Sequence, residues 1–285
     1  MLNPFKKIID LTAPPKEAEE ESFRALQAQY PTGGDPWGMN IDRVRQMFRL
    51  LWPVYNRYFR VRVIGEENLV KENTIFVANH SGQVAIDGVL ICMAFYGGLK
   101  EPKIVRAMVE RFLTKTPFLG SLLSELGSIL GDRQNCLSLL RRGGSVLVFP
   151  EGLRGITKNS KDYYNVQHFS RGFYRMALES GVRVQPLAVV GAEEFYPWVR
   201  HARGLAKMIG LPALPLTPNL LPLPSPVDIH IGKPLDLPAD LSPDSPDEAI
   251  DVHVEEIREQ IIAMLAEGMK QRRSFPFNRF LKGKS

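Results

Sequence analysis

The apolar segment TIFVAN, residues 74–79, is followed directly by His80. Parallel-sheet enzymes bind ligands beyond the carboxyl ends of their strands, so His80 occupies a position suited to chemistry. Asp87 comes shortly after, beyond a turn that contains Gly82, and its carboxylate can reach back to the imidazole. A carboxylate on one ring nitrogen fixes the tautomer and raises the basicity of the other. The pair indicates a general base that takes a proton from an alcohol, with a helix-capping structural histidine as the alternative.

Two further segments combine arginine with glycine, a pattern suited to anions. Arg133 closes a glycine-rich turn, and Arg154 follows an apolar run together with Glu151 and Gly152. A guanidinium offers a bidentate fork to phosphate or carboxylate, and the Glu151 carboxylate can accept a substrate hydroxyl. The alternative for both segments is an internal ion pair at a turn.

Several other kinds of chemistry lack support. The sequence contains no GxSxG, GxxxxGK[ST] or GxGxxG motif, so it offers no evident covalent nucleophile or nucleotide loop. Its two cysteines form no CxxC, which argues against a structural zinc site. Glu193 and Glu194 follow another apolar run, and we interpret them as a solvated turn because adjacent side chains diverge.

The elements that must position these residues alternate along the chain. Strand-like apolar runs lie at 61–64, 74–78, 103–105, 145–149, 182–190 and 227–231. Helical patterns lie at 41–59, 86–95, 117–126, 136–142, 168–180 and 247–269. The alternation predicts an α/β fold with a single domain, a largely parallel mixed sheet flanked by helices, and an N-terminal amphipathic helix. Pro53 should kink that first helix.

Composition is ordinary for a folded chain of 285 residues, with 36 Lys+Arg against 31 Asp+Glu and a net charge of +5. It excludes a disordered polymer, a collagenous repeat and a disulfide scaffold. We expect a mobile lead-in with little core at 1–40, one folded domain at 41–269, and a basic aromatic tail at 270–285. No apolar run reaches the roughly 18 residues of a spanning helix, and a cytoplasmic location is expected.

Two segments suggest contact with a membrane surface. The tail carries six cations, namely Lys270, Arg272, Arg273, Arg279, Lys282 and Lys284, interleaved with Phe275, Phe277 and Phe280. Such a pattern can bind anionic lipid headgroups on the inner face of a membrane, and a solvated tail is the alternative. The proline-rich stretch 204–226 is either a covered loop or a lipid-contacting surface. Nucleic acid is not an expected partner, since no recognisable nucleic-acid motif occurs.

Taken together, the blocks NHSGQ…D, GSILGDR, FPEGLRG and VQPLAVV follow one another in a familiar order and spacing. The region from about residue 61 to residue 194 resembles the glycerolipid acyltransferase superfamily, the family of 1-acylglycerol-3-phosphate acyltransferases. That family usually has four residues between its histidine and aspartate, whereas six separate His80 from Asp87. The departure indicates a divergent branch, so the acceptor is left open.

The resemblance implies an O-acyltransferase of phospholipid synthesis. Acyl-CoA or acyl-carrier protein would donate the fatty acyl chain, and a lysophosphatidate-like lipid would accept it. His80 would deprotonate the acceptor hydroxyl, and Asp87 would orient His80. The hydroxyl would then attack the thioester directly.

The same resemblance implies the binding residues. Arg133 and Arg154 would hold the acceptor phosphate, while Glu151 and Gly152 would shape the acceptor pocket. No metal or organic cofactor is implied. The alternatives are an acyltransferase for another lysolipid or an acylated amino-acid lipid, and a catalytically lapsed lipid-binding protein of the same fold.

Overall fold

A seven-stranded mixed sheet lies at the centre of the computed structural model, which describes residues 14, 16–30, 34–81, 85–114, 118–201 and 215–273. Its strands are β1 (Arg62–Ile64), β2 (Thr74–Ala78), β3 (Val105–Val109), β4 (Ile129–Leu130), β5 (Ser145–Val148), β6 (Arg183–Val190) and β9 (Asp228–Ile231). Their order is β1-β9-β6-β2-β5-β3-β4, and all described neighbours are parallel except the antiparallel pair β6 and β9. Two short strands, β7 (Arg200–His201) and β8 (Pro215–Leu216), pair separately. The predicted largely parallel mixed sheet is confirmed.

Helices cover both faces of this sheet. They are α1 (Lys16–Gln29), α2 (Ile41–Pro53), α3 (Ile86–Met93), α4 (Arg111–Thr114), α5 (Leu119–Glu125), α6 (Arg133–Arg141), α7 (Leu153–Ile156), α8 (Gly172–Ser180) and α9 (Asp247–Lys270). Successive side chains of a strand point to opposite faces of the sheet, so β2 contributes side chains to two hydrophobic cores. Phe76 and Ala78 pack with α1, α2 and α3, whereas Ile75 and Val77 pack with α6, α8 and α9.

The amphipathic helix predicted at 41–59 exists, but its geometry changes partway. The Asn40 side chain caps α2 by accepting a hydrogen bond of 3.1 Å from the Arg43 backbone N–H. The α-helix ends at Pro53, and residues Val54–Tyr58 continue as a π-helix. Proline has no N–H to donate to the preceding turn, which accounts for the change at this position.

The expectation of little core at 1–40 is wrong for the described part of that segment. Helix α1 buries Phe23 and Leu26 in the core. Glu19 is also buried, and Arg45 Nε on α2 donates to its carboxylate at 2.6 Å. The sequence suggested a solvated acidic run because the cation that pairs with Glu19 lies on another helix. Residues 1–13, 15 and 31–33 lie outside the described residues.

The first residues of the basic tail also differ from the prediction, because two of its arginines bond protein carboxylates. Arg272 is buried and donates from Nε and Nη2 to Glu194 at 2.9 Å each. Arg273 bonds Asp228 on β9. These two guanidiniums attach the end of α9 to the sheet, so they are not available to lipid headgroups. The remaining residues of the predicted tail, 274–285, lie outside the described residues, as do 202–214 of the proline-rich stretch. No described helix combines the length and apolar character needed to cross a bilayer.

Candidate functional site

His80 and Asp87 form a buried pair at the carboxyl end of β2. His80 Nδ1 lies 2.7 Å from Asp87 Oδ2, and the Asp87 side chain is fully buried. Among the described residues no group bonds the second ring nitrogen, Nε2, and His80 lines a large cavity. The longer spacing in the sequence therefore still allows the predicted contact.

The position of Asp87 is fixed by one backbone N–H group after β2 and one at the start of α3. Its Oδ2 accepts the Ser81 N–H at 2.7 Å, and its Oδ1 accepts the Gly88 N–H at 2.8 Å. Asp87 is the second residue of α3, where the helix dipole favours negative charge. A carboxylate satisfied in this way can hold the His80 ring in one orientation and stabilise it when it becomes protonated.

The neighbouring strand end supplies the other side of the histidine. Strands β2 and β5 are adjacent and parallel, so the residues that follow them meet at one sheet edge. The Phe149 ring stacks on His80 with centroids 4.2 Å apart. Glu151 is buried, and its Oε1 accepts the His80 backbone N–H at 2.7 Å. The predicted substrate-binding carboxylate thus bonds the protein backbone.

A cavity of about 1050 Å³ opens beside His80 and has two different ends. The polar end is lined by His80, Asp132, Arg133, Glu151, Gly152, Arg154, His168, Arg171 and Arg175. The apolar end is lined by Val44, Met47, Phe48 and Leu51 of α2, by Val89, Cys92 and Met93 of α3, and by Leu119, Leu122 and Leu123 of α5. Such a shape can hold an amphipathic molecule with its junction near His80.

The two predicted anion-binding arginines have different surroundings. Arg154 is exposed, lines the cavity, and has no hydrogen bond or ion pair with a described residue. Arg133 also lines the cavity, but its guanidinium bonds Glu179 on α8, which pairs with Arg141 as well. Within the described part of the chain, Arg154 thus shares its donors with no other group, whereas Arg133 shares its donors with the Glu179 carboxylate.

Sequence reasoning missed three features of this site. Gly155 packs so closely that an added Cβ would lie 2.6 Å from His80 Cβ. Lys158 is buried beside Glu151 and Glu193, so the interpretation of Glu193 as part of a solvated turn is wrong. Helix α2 forms a cavity wall, whereas the sequence predicted only that it is amphipathic. The polar residues after the apolar run 146–149 were the available signal for the first two.

The described residues contain no group of three or more His, Cys, Asp or Glu side chains arranged to hold a metal ion. The thiol of Cys92, which lines the cavity, has its pKa raised to about 12 by burial. It is therefore a poor nucleophile at neutral pH.

The fold and this site define an α/β protein with a histidine–aspartate pair at the carboxyl edge of its sheet, equipped for general-base chemistry. The family model described as Acyltransferase matches residues 60–190. An uncharacterized protein of Mycobacterium tuberculosis is 30% identical over 256 residues, which cover 86% of this chain and 70% of that relative. This chain belongs to the acyltransferase family, in the superfamily of 1-acylglycerol-3-phosphate acyltransferases.

More distant relatives have named activities. The chloroplastic 1-acyl-sn-glycerol-3-phosphate acyltransferase LPAT1 of Arabidopsis thaliana is 26% identical over 182 residues, covering 58% of this chain and 47% of that protein. The crystal structure of the 1-acyl-sn-glycerophosphate acyltransferase PlsC from Thermotoga maritima matches with a TM-score of 0.50 and 21% identity. That match covers 78% of this chain and 81% of PlsC, and it supports the fold.

Proposed function

We propose that this protein transfers a fatty acyl chain from a thioester donor, acyl-CoA or acyl-carrier protein, to the free hydroxyl of a lysophosphatidate-like acceptor. The observation that carries the proposal is the His80–Asp87 pair at 2.7 Å, whose histidine lines a cavity that both polar and apolar side chains form. The named activities of the plant and Thermotoga relatives support the choice of acceptor.

His80 acts as the general base in this proposal. Nε2 removes the proton of the acceptor hydroxyl as its oxygen attacks the thioester carbonyl carbon, so a C–O bond forms. The imidazolium is stabilised by Asp87 through Nδ1. The tetrahedral intermediate then collapses, the C–S bond breaks, and the departing thiolate takes the proton from His80. Neither a metal nor an organic cofactor is required by these steps.

The polar and apolar ends of the cavity bind different parts of the substrates. Arg154 offers its exposed guanidinium to the acceptor phosphate, and Gly152, with a φ of 55° that favours glycine, turns the chain there. Arg133 contributes positive charge at the same end. The apolar end takes the acyl chain, at about 0.8 kcal/mol for each buried methylene.

We propose further that the protein attaches peripherally to the inner face of a membrane, where both lipid tails reside. An exposed apolar ridge supports this, formed by Leu50, Val54, Tyr58, Leu220 and Leu221. The Tyr58 hydroxyl donates to the Pro222 carbonyl at 2.6 Å, which joins the helical and loop parts of the ridge. Flotation with anionic vesicles tests it: Leu220→Asp with Leu221→Asp should reduce binding, and unchanged binding would contradict the role of the ridge.

A thiol-release assay tests the proposed reaction. Purified protein is mixed with acyl-CoA or acyl-carrier protein and with lysophosphatidate, other lysophospholipids or an acylated amino-acid lipid, and the acylated product is identified by mass spectrometry. We expect transfer to lysophosphatidate. Preferred transfer to another acceptor would replace the proposed substrate, and thioester binding without transfer to any acceptor would indicate a lipid-binding protein.

A further inference from the structure

A lysine is buried behind the His80 site, between two carboxylates. The Lys158 ammonium lies 3.1 Å from Glu151 Oε2 and 2.9 Å from Glu193 Oε1, and the three side chains are 3%, 0% and 1% exposed. A lysine is almost never buried to this degree without charged partners. In the proposed mechanism, neither the acceptor hydroxyl nor the thioester contacts this cluster.

The cluster forms hydrogen bonds with both backbone groups of His80, the N–H and the carbonyl. Glu151 Oε1 accepts the His80 N–H at 2.7 Å, and Lys158 Nζ donates to the His80 carbonyl at 3.2 Å. Glu151 Oε2 accepts the Gln167 N–H at 2.8 Å, which ties the segment before α8 to the same point. Both peptide groups of His80 therefore depend on the Lys158–Glu151 pair.

The charges of the cluster are unequal, with two carboxylates and one ammonium. Burial opposes the charge on Lys158, but Glu193 and Glu151 outweigh it and raise the pKa of the ammonium. Burial raises the pKa of Glu193, against the lowering effect of Lys158. Lys158 is therefore charged at neutral pH. Without it, two adjacent buried carboxylates would remain, and one would take up a proton.

Glu151 uses both carboxylate oxygens for backbone N–H groups, since Oε1 accepts from His80 and Oε2 accepts from Gln167. Oε2 also lies 3.1 Å from the Lys158 ammonium. Removing Lys158 would take away this partner of Glu151 and the Lys158 donor to the His80 carbonyl. We expect the backbone at His80 then to shift relative to Asp87.

We propose that Lys158 is a positioning residue for the reaction: through its ion pair with Glu151 and its bond to the His80 carbonyl it fixes both peptide groups of His80, so that the imidazole stays aligned with Asp87 and faces the cavity. This inference rests on the proposed function, because the reaction that needs the register is acyl transfer. A misplacement of about 1 Å in a reacting group can cost about 100-fold in rate.

The test compares two lysines under the same substitution. Lys158→Met should lower kcat by about tenfold to 100-fold and leave KM for the acceptor nearly unchanged. Lys103 is the matched control: it is buried, but it donates to the carbonyls of Val70, Lys71 and Glu72, away from the site. Lys103→Met should leave kcat unchanged.

A second variant tests the proposal if Lys158→Met does not fold. The double variant Lys158→Met with Glu193→Gln removes one charge of each sign, so the net charge of the cluster stays the same. It should fold and still show the reduced kcat. Wild-type kcat in either folded variant would overturn the positioning role.

Nuclear magnetic resonance separates this inference from the proposed function. The Nδ1–H proton of His80, hydrogen-bonded to Asp87, should give a downfield signal in the resting wild-type protein. That signal should weaken in Lys158→Met and persist in Lys103→Met. If it behaves so while the wild type transfers no acyl chain, the proposed function fails and the positioning role stands. If the wild type is active and Lys158→Met keeps the signal, the positioning role fails.

Discussion

The polar and apolar ends of the cavity are built in different ways. At the polar end, His80, Asp87 and Glu151 are held by buried hydrogen bonds of 2.7 Å at adjacent strand ends. At the apolar end, α2 and α5 supply side chains whose contacts have no directional requirement. Proton transfer needs fixed distances, whereas an alkyl chain needs only volume and shape. We therefore expect substitutions at the polar end to change kcat and those at the apolar end to change chain preference.

The largest effect in this comparison should come from Asp87→Asn. The amide keeps the size of the side chain but removes the charge that stabilises the His80 imidazolium, so kcat should fall by about 100- to 10,000-fold. Steady-state thiol release measures it. Circular dichroism serves as the control for folding, and a folded variant with wild-type kcat would show that the pair is structural.

Gly155→Ala should have the next largest effect. The new methyl group would lie 2.6 Å from His80 Cβ and 3.0 Å from Glu151 Cβ, so one of them must move. We expect kcat to fall by about tenfold to 100-fold and stability to fall by about 1–3 kcal/mol. Gly172→Ala is the matched control, since its added Cβ has no atom within 4 Å. Equal activities of the two variants would contradict the close packing behind His80.

Arg154→Lys should have an intermediate effect confined to the acceptor. A point charge replaces a bidentate fork, so KM for the acceptor should rise by about tenfold, equivalent to about 1.4 kcal/mol, while donor KM stays constant. Arg133→Ala should raise acceptor KM less, because Arg133 already shares its donors with Glu179. A larger effect at Arg133, or a change in donor KM alone, would reverse the assignment of the phosphate contact.

The smallest effect on rate should come from the apolar end. Leu51→Trp narrows the cavity, so the preferred acyl chain should become shorter. Each methylene that no longer fits loses about 0.8 kcal/mol of burial free energy. Competition between acyl donors of different length measures it. Leu50→Trp is the control on the same helix, because Leu50 is 52% exposed. An identical chain preference in both variants would place the acyl chain elsewhere.

The polar end could be predicted largely from the sequence. The apolar runs 74–78 and 145–149 predicted two strands with polar residues directly after them, and the structure shows that these strands are neighbours. Two-residue strand β4 was too short for a periodic signal. The longer interval between His80 and Asp87 left their contact open, because the number of intervening residues does not by itself fix the distance between two side chains.

The long-range ion pairs could not be predicted. Glu19 bonds Arg45, Arg272 bonds Glu194, and Lys158 joins Glu151 to Glu193, each across many residues. In the sequence each of these groups looks like an ordinary solvated charge, since its partner lies on a different element. The predicted domain boundaries, donor, acceptor and membrane attachment stay predictions.

The central claim is that His80 is the base of an acyl transfer, and thiol release by His80→Ala tests it most directly. The purified variant is compared with the wild type using the same acyl donor and acceptor, with thioester binding measured in parallel. We predict that kcat falls by about 100- to 10,000-fold while donor binding and the melting temperature remain close to the wild type. Turnover near the wild-type rate in the folded variant would contradict the claim.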